Sequence, residues 1–148
     1  MSKKSTEIKK ENTKKMCIIV HSGTLDKAYP PFMLAAAAGA SDMETHIFFT
    51  FWGMNLLRKG GFEAAKLPGI MRIGTGMMKS KMKKAGFPEL PDLVKQTVEM
   101  GNTHLYACSA TMELMGLKKE DLIPEVEKVL GAAAFIDISV DADITLFI

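Results

Sequence analysis

The sequence predicts an α/β fold: a three-layer arrangement in which a parallel sheet of about five strands carries helices on both faces. Three observations lead there. Short, uniformly apolar runs recur along the chain, as in strands buried on both faces, and most give way to segments with helical spacing. The third is size, since 148 residues fit one domain able to bury a core without disulfides.

Met1 to Lys15 is polar and aperiodic, with six Lys against two Glu, and reads as a disordered basic arm over 1-15, leaving one domain over 16-148. Met16-Cys17-Ile18-Ile19-Val20 is the first strand, and it ends at His21-Ser22-Gly23. Thr24 then caps a helix with Asp26 in its first turn. Pro30-Pro31 is expected to kink or restart that helix, because neither ring donates a backbone hydrogen bond, with Phe32 to Ala40 as the remainder. Ile47-Phe48-Phe49, within Glu44 to Phe51, is the second strand; it closes on Trp52-Gly53 ahead of a helix from Met54 to Lys59.

Between Gly60 and Leu90 the pattern loosens, with glycines at 60, 61, 69, 74 and 76, and a mobile basic Met/Gly-rich segment is expected at about 60-90. Within it Met78, Met82 and Ala85 share helical spacing among lysines, a basic amphipathic stretch too short to be stable alone. Leu93 to Met100 is a helix stopped by Gly101. The strand His104-Leu105-Tyr106-Ala107-Cys108 follows, then a short helix from Ser109 to Met115 closed by Gly116. Asp121 to Leu130 is ambiguous, and its end fits a strand; Ala132 to Val140 reads as helix and Ile144 to Ile148 as the last strand.

The net charge is only +2 but unevenly placed: Arg58 to Lys84 holds eight basic residues against Glu63, while Glu113 to Asp143 holds three Lys against eight acids. Such asymmetry can orient neighbouring copies or a charged partner. Nucleic acid is not an expected partner, since the basic residues lack interleaved aromatics and no recognised motif is present. No apolar run reaches the length of a membrane span, the longest candidate being Phe32 to Ala40. Two cysteines and no secretory signal suit a reducing cytoplasm. The three His and two Cys fall at no recognised metal spacing, and Gly74-Thr75-Gly76 lacks the preceding strand of a phosphate loop. Neither a metal nor a cofactor is expected.

Cys108 is the candidate for chemistry, because a strand-to-helix junction marks the sheet edge where such folds place reactive groups. Helix-opening N–H groups lack intrahelical partners and favour a thiolate there. The opposing reading is a small core residue, since free Cys is among the most buried types. His21, ending the first strand, can assist Cys108 if the two strands are adjacent; His46 and His104 start theirs and read as structural. Cys17 would sit roughly 13 Å below the level of Cys108 at ~3.3 Å per residue, which argues against a bridge and for a core role.

These residues resemble the DsrE/DsrF-like family over about Met16 to Ile148, in particular its stand-alone, peroxiredoxin-like or DsrE-related members. The resemblance is carried by Ile18 to Lys27, Phe48 to Gly53 with Leu57-Arg58-Lys59, Ala107-Cys108-Ser109 with Met112 and Met115-Gly116, and Ile144 to Ile148. It implies a compact α/β fold, homo-oligomers such as a trimer or its multiple, and sulfane sulfur carried as a persulfide on Cys108. The expected function is a cytoplasmic sulfur carrier of sulfurtransferase type, with Ser22, Gly23, Trp52, Gly53, Ser109 and Met112 as candidate binding residues. Donor and acceptor proteins such as a rhodanese or a small sulfur carrier would be its partners. Two alternatives stand beside it: a non-catalytic homo-oligomeric scaffold with an inert Cys108, and a thiol oxidoreductase, the latter weakened by the lack of a resolving Cys.

Overall fold

The computed structural model describes residues 13–148, so most of the expected N-terminal arm lies outside the described residues. Five parallel strands, β1 (Lys15–Val20), β2 (Glu44–Phe49), β3 (Thr103–Cys108), β4 (Val126–Leu130) and β5 (Ile144–Phe147), form one sheet in the order β4-β3-β2-β1-β5. The chain steps outward from β1 to β4 and then returns to the other side of β1. Right-handed crossovers that reverse direction in this way place helices on opposite faces.

Alternation along the strands sorts the two faces. Ile18, Ile47 and Leu105 lie in register on one face, as do Val20, Phe49 and Ala107. Helices α1 (Leu25–Gly39) and α5 (Leu90–Glu99) cover that side, and Phe32 of α1 stacks on Phe49 at 6.3 Å and meets Phe62 edge-on at 5.4 Å. The opposite face carries Cys17, His46 and His104 in one row and Ile19, Phe48 and Tyr106 in the next. Helix α7 (Ala132–Ser139) lies over it, with Phe135 stacked on Phe48 at 4.7 Å. The apolar runs of β1, β2 and β3 thus correspond to strands buried on both sides, while β5 at the edge is mostly exposed.

Two local expectations change. The Pro30-Pro31 pair does not restart α1, which runs unbroken through both. The carbonyls left without a helical donor belong to Asp26 and Lys27, both exposed, so water satisfies them and the fixed proline φ suits the helix. The 60-90 segment is helical rather than loop: α2 (Met54–Leu57) precedes α3 (Gly61–Ala64), a 3-10 turn (Gly69–Gly74) and α4 (Thr75–Lys84). Its one-turn pieces are too short to show a period, and tertiary anchors hold them, with Lys79 Nζ donating to the Glu63 carbonyl and Leu67 N–H to Thr75 Oγ1. The end of the ambiguous stretch is a strand, as read, namely β4, an edge strand whose mostly exposed residues account for its weak pattern.

Candidate functional site

The strand-to-helix junction at Cys108 becomes a site because β2 and β3 end side by side. Phe49 pairs with Ala107, so Thr50 comes level with Cys108 and, by alternation, on the same face. Helix α6 (Ser109–Met115) starts directly after the cysteine, and its third residue, Thr111, returns toward the sheet edge. Thr111 Oγ1 accepts the N–H of Phe51 at 3.1 Å and lies 3.2 Å from Thr50 Oγ1. The Cys108 sulfur therefore faces a pair of hydroxyls held by one another and by backbone.

The chain leaves β2 through a strained turn. Phe51 adopts φ +46°, rare for a bulky side chain and worth about 1–3 kcal/mol of strain, and its N–H bond to Thr111 helps to hold it there. Two glycines let the neighbouring loops close. A Cβ on Gly53 would stand 2.2 Å from the Val20 carbonyl oxygen, and one on Gly23 would stand 2.5 Å from that of Trp52. Gly53 N–H also donates to His21 and Thr50 carbonyls, tying the end of β1 to the residue beside Cys108.

Burial pushes the Cys108 thiol up, but the Thr111 hydroxyl and N–H, the Thr50 hydroxyl and the Ala110 N–H outweigh it and hold the pKa below the ordinary cysteine value. These groups are donors, and a thiolate accepts from donors more strongly than a thiol does, so they favour the anion over the neutral form. Cys108 is 6% exposed, and attack on it requires slight opening of its cover. Alkylation of Cys17→Ser protein by iodoacetamide should accordingly show a midpoint below that of a free cysteine. Thr111→Val should raise that midpoint and slow the reaction several-fold at neutral pH; a midpoint unchanged by the substitution would contradict the role given to the hydroxyl.

The other expected residues fall as follows. Because β2 lies between β1 and β3, His21 is not adjacent to Cys108, which removes the condition on which its assisting role rested. Two strand spacings of ~4.8 Å separate the strands, and the His21 ring instead lies near those of Phe147 at 5.6 Å and Phe51 at 6.1 Å. Ser22 serves the first helix entry, its Oγ 3.1 Å from Thr24 Oγ1, and Thr24 itself makes no side-chain cap. Gly23 and Gly53 are close-approach positions, Trp52 is 63% exposed beside them, Ser109 is exposed at the start of α6, and Met112 is buried in the core. Cys17 is buried, its pKa raised chiefly by that burial, and it lies roughly 16 Å from Cys108, four residues along and two strands across. Both cysteines are free.

His46 and His104 stack at 4.8 Å at the far end of the sheet, bonded through Nδ1 to Tyr106 Oη at 2.8 Å and Glu127 Oε2 at 2.6 Å. Burial, and then the His104 neighbour, lowers the His46 pKa. Among the described residues no group of three or more His, Cys, Asp or Glu could hold a metal ion. The threonines went unnoticed in the sequence because a β-branched residue at a strand end and a hydroxyl in a first helical turn are both ordinary. The signal available was Cys-x-x-Thr across a helix start, which returns the third side chain to the capping position.

The model of the DsrE/DsrF/DrsH-like family matches residues 12–71 and 64–147. The chain is 35% identical to "Sulfur carrier protein DsrE2" of Allochromatium vinosum over 91% of its own length and 98% of that protein's. It is 34% identical to the uncharacterized protein YrkE of Bacillus subtilis, over 93% and 99% of the two chains. Among solved structures, MTH1491 of Methanobacterium thermoautotrophicum, a protein of unknown function, superposes with a TM-score of 0.60 at 13% identity, covering 91% of this chain and 99% of that one, a likeness of fold.

Proposed function

The chain belongs to the DsrE/DsrF/DrsH-like family, and from that premise we propose that it is a sulfur carrier that holds sulfane sulfur as a persulfide on Cys108 and passes it to an acceptor thiol. The observation that carries this reading is the placement of Cys108 at the sheet edge, against the hydroxyls of Thr50 and Thr111, with its thiolate favoured. In loading, the thiolate attacks the outer sulfur of a donor R–S–SH: the Cys108 S–S bond forms, the donor S–S bond breaks, and R–S⁻ leaves with the electron pair. In unloading, an acceptor thiolate attacks that same outer sulfur and Cys108 departs as thiolate. No external oxidant or reductant is consumed, and a leaving thiolate of low pKa speeds the second step.

A single carrier cysteine fits better than a two-cysteine redox cycle, because Cys17 is buried and roughly 16 Å away, beyond the ~7 Å limit for a disulfide. Free cysteines support a reducing, cytoplasmic setting, and no described helix is long and apolar enough to cross a membrane. Exposed Phe147 on the edge strand, with Ile136 on α7 and Val140 just past its end, supports assembly into a homo-oligomer. Donor and acceptor proteins would meet the Cys108 edge, where Trp52 stands out. The scaffold reading draws on the near-complete burial of the thiol, and one experiment separates the two. Protein incubated with polysulfide and desalted should retain close to one cyanide-labile sulfur per chain, released as thiocyanate with return of the thiol. Retention of none would leave the scaffold.

A further inference from the structure

Residues 64–88 contain six basic residues and no acid, yet include many large apolar side chains. Leu67 and Met82 pack against the core, but the structure exposes most of the others. In the 3-10 turn Gly69–Gly74, Ile70 is 86% and Ile73 90% exposed, and Met71 of the turn and Met77 of α4 are more than half exposed. None of the four lines the cavity of about 350 Å³ beneath α4, so they turn away from the body. Arg72 stands among them, and Met77, Lys81 and Lys84 follow one exposed stripe of α4 at positions i, i+4 and i+7.

We propose that this turn and α4 form a docking element for an anionic lipid surface, on which the aliphatic tip enters the headgroup region while the lysines meet lipid phosphates. Charge favours this occupant, as does residue type. Protein interfaces are depleted in lysine and enriched in aromatic residues, whereas residues 69–84 hold no aromatic and set four lysines of α4 beside bare isoleucines. Lysine stems cover apolar surface while their heads stay wet, which suits a helix lying in a membrane interface. The element lies on the surface and does not cross it, since no described helix is long and apolar enough.

The test is sedimentation of full-length protein with vesicles of phosphatidylcholine alone or mixed with phosphatidylglycerol. Binding is expected only to the mixed vesicles, weakened by salt. Ile70→Glu with Ile73→Glu should reduce it at least about tenfold, as should Lys81→Glu with Lys84→Glu at about 1 kcal/mol per lysine. Both pairs are exposed, so thermal melts should be unchanged. The basic arm at the N-terminus is intact in these variants. Binding that survives both pairs would assign the effect to that arm and overturn the proposal. So would equal binding to neutral vesicles, absence of binding, or light scattering showing that the isoleucines hold two copies together.

Discussion

Cys108→Ser should abolish transfer of sulfane sulfur from polysulfide to an acceptor thiol, by about a thousandfold or more, as expected when the nucleophile of a covalent cycle is removed. The hydroxyl is nearly isosteric with the thiol, so the fold should be unaffected and the melting temperature should stay within a few degrees. Cys17→Ser should leave transfer intact, because Cys17 is buried at the far end of the sheet with its pKa raised by that burial. Rates of thiol persulfidation measured on the two variants decide the matter. Equal loss in both would show that the cysteines act as a pair, and no loss in Cys108→Ser would remove the residue from the chemistry.

Gly53→Ala is the second large effect, and it acts on the fold and the site together. The new Cβ would meet the Val20 carbonyl oxygen at 2.2 Å and its carbon at 2.9 Å, both backbone atoms of a central strand that cannot swing aside. Overpacking of this kind costs about 1–3 kcal/mol, and a backbone-on-backbone clash sits at the upper end, lowering Tm by roughly 10 °C. Relief requires the loop to move, and Gly53 N–H is bonded to the Thr50 carbonyl, so Thr50 moves with it. The alkylation midpoint of Cys108 should therefore rise in the same variant. Gly76→Ala, where a Cβ meets nothing within 4 Å, should change neither Tm nor midpoint by a comparable amount. Similar Tm values for the two variants would contradict the packing assigned to Gly53.

The parts of the fold legible in the sequence were the uninterrupted apolar runs. Met16 to Val20, Ile47 to Phe49 and Leu105 to Ala107 could not be surface elements, and they form the buried middle of the sheet. Cys108 was legible as a junction because the strand pattern stops there and Gly116 closes the next helix with φ +65°. Strand order was not legible. Nothing in the spacing of β1, β2 and β3 says that β2 lies between the others, and that single fact separates His21 from Cys108. Thr50 and Thr111 were hidden for the same reason, since only the register of β2 on β3 and the turn into α6 bring their hydroxyls together. In the 64–88 stretch only Met78, Met82 and Ala85 showed helical spacing, because Ile70, Met71, Ile73 and Met77 are exposed and follow no buried face.

The most direct test of Cys108 as the sulfur carrier is the location of the loaded sulfur. Protein incubated with polysulfide, desalted, alkylated and digested should yield the Cys108 peptide heavier by one sulfur atom beneath the alkyl group, with the Cys17 peptide unmodified and the adduct gone after reduction. A Cys108 peptide carrying no added sulfur, or the added sulfur found on Cys17, would contradict the account.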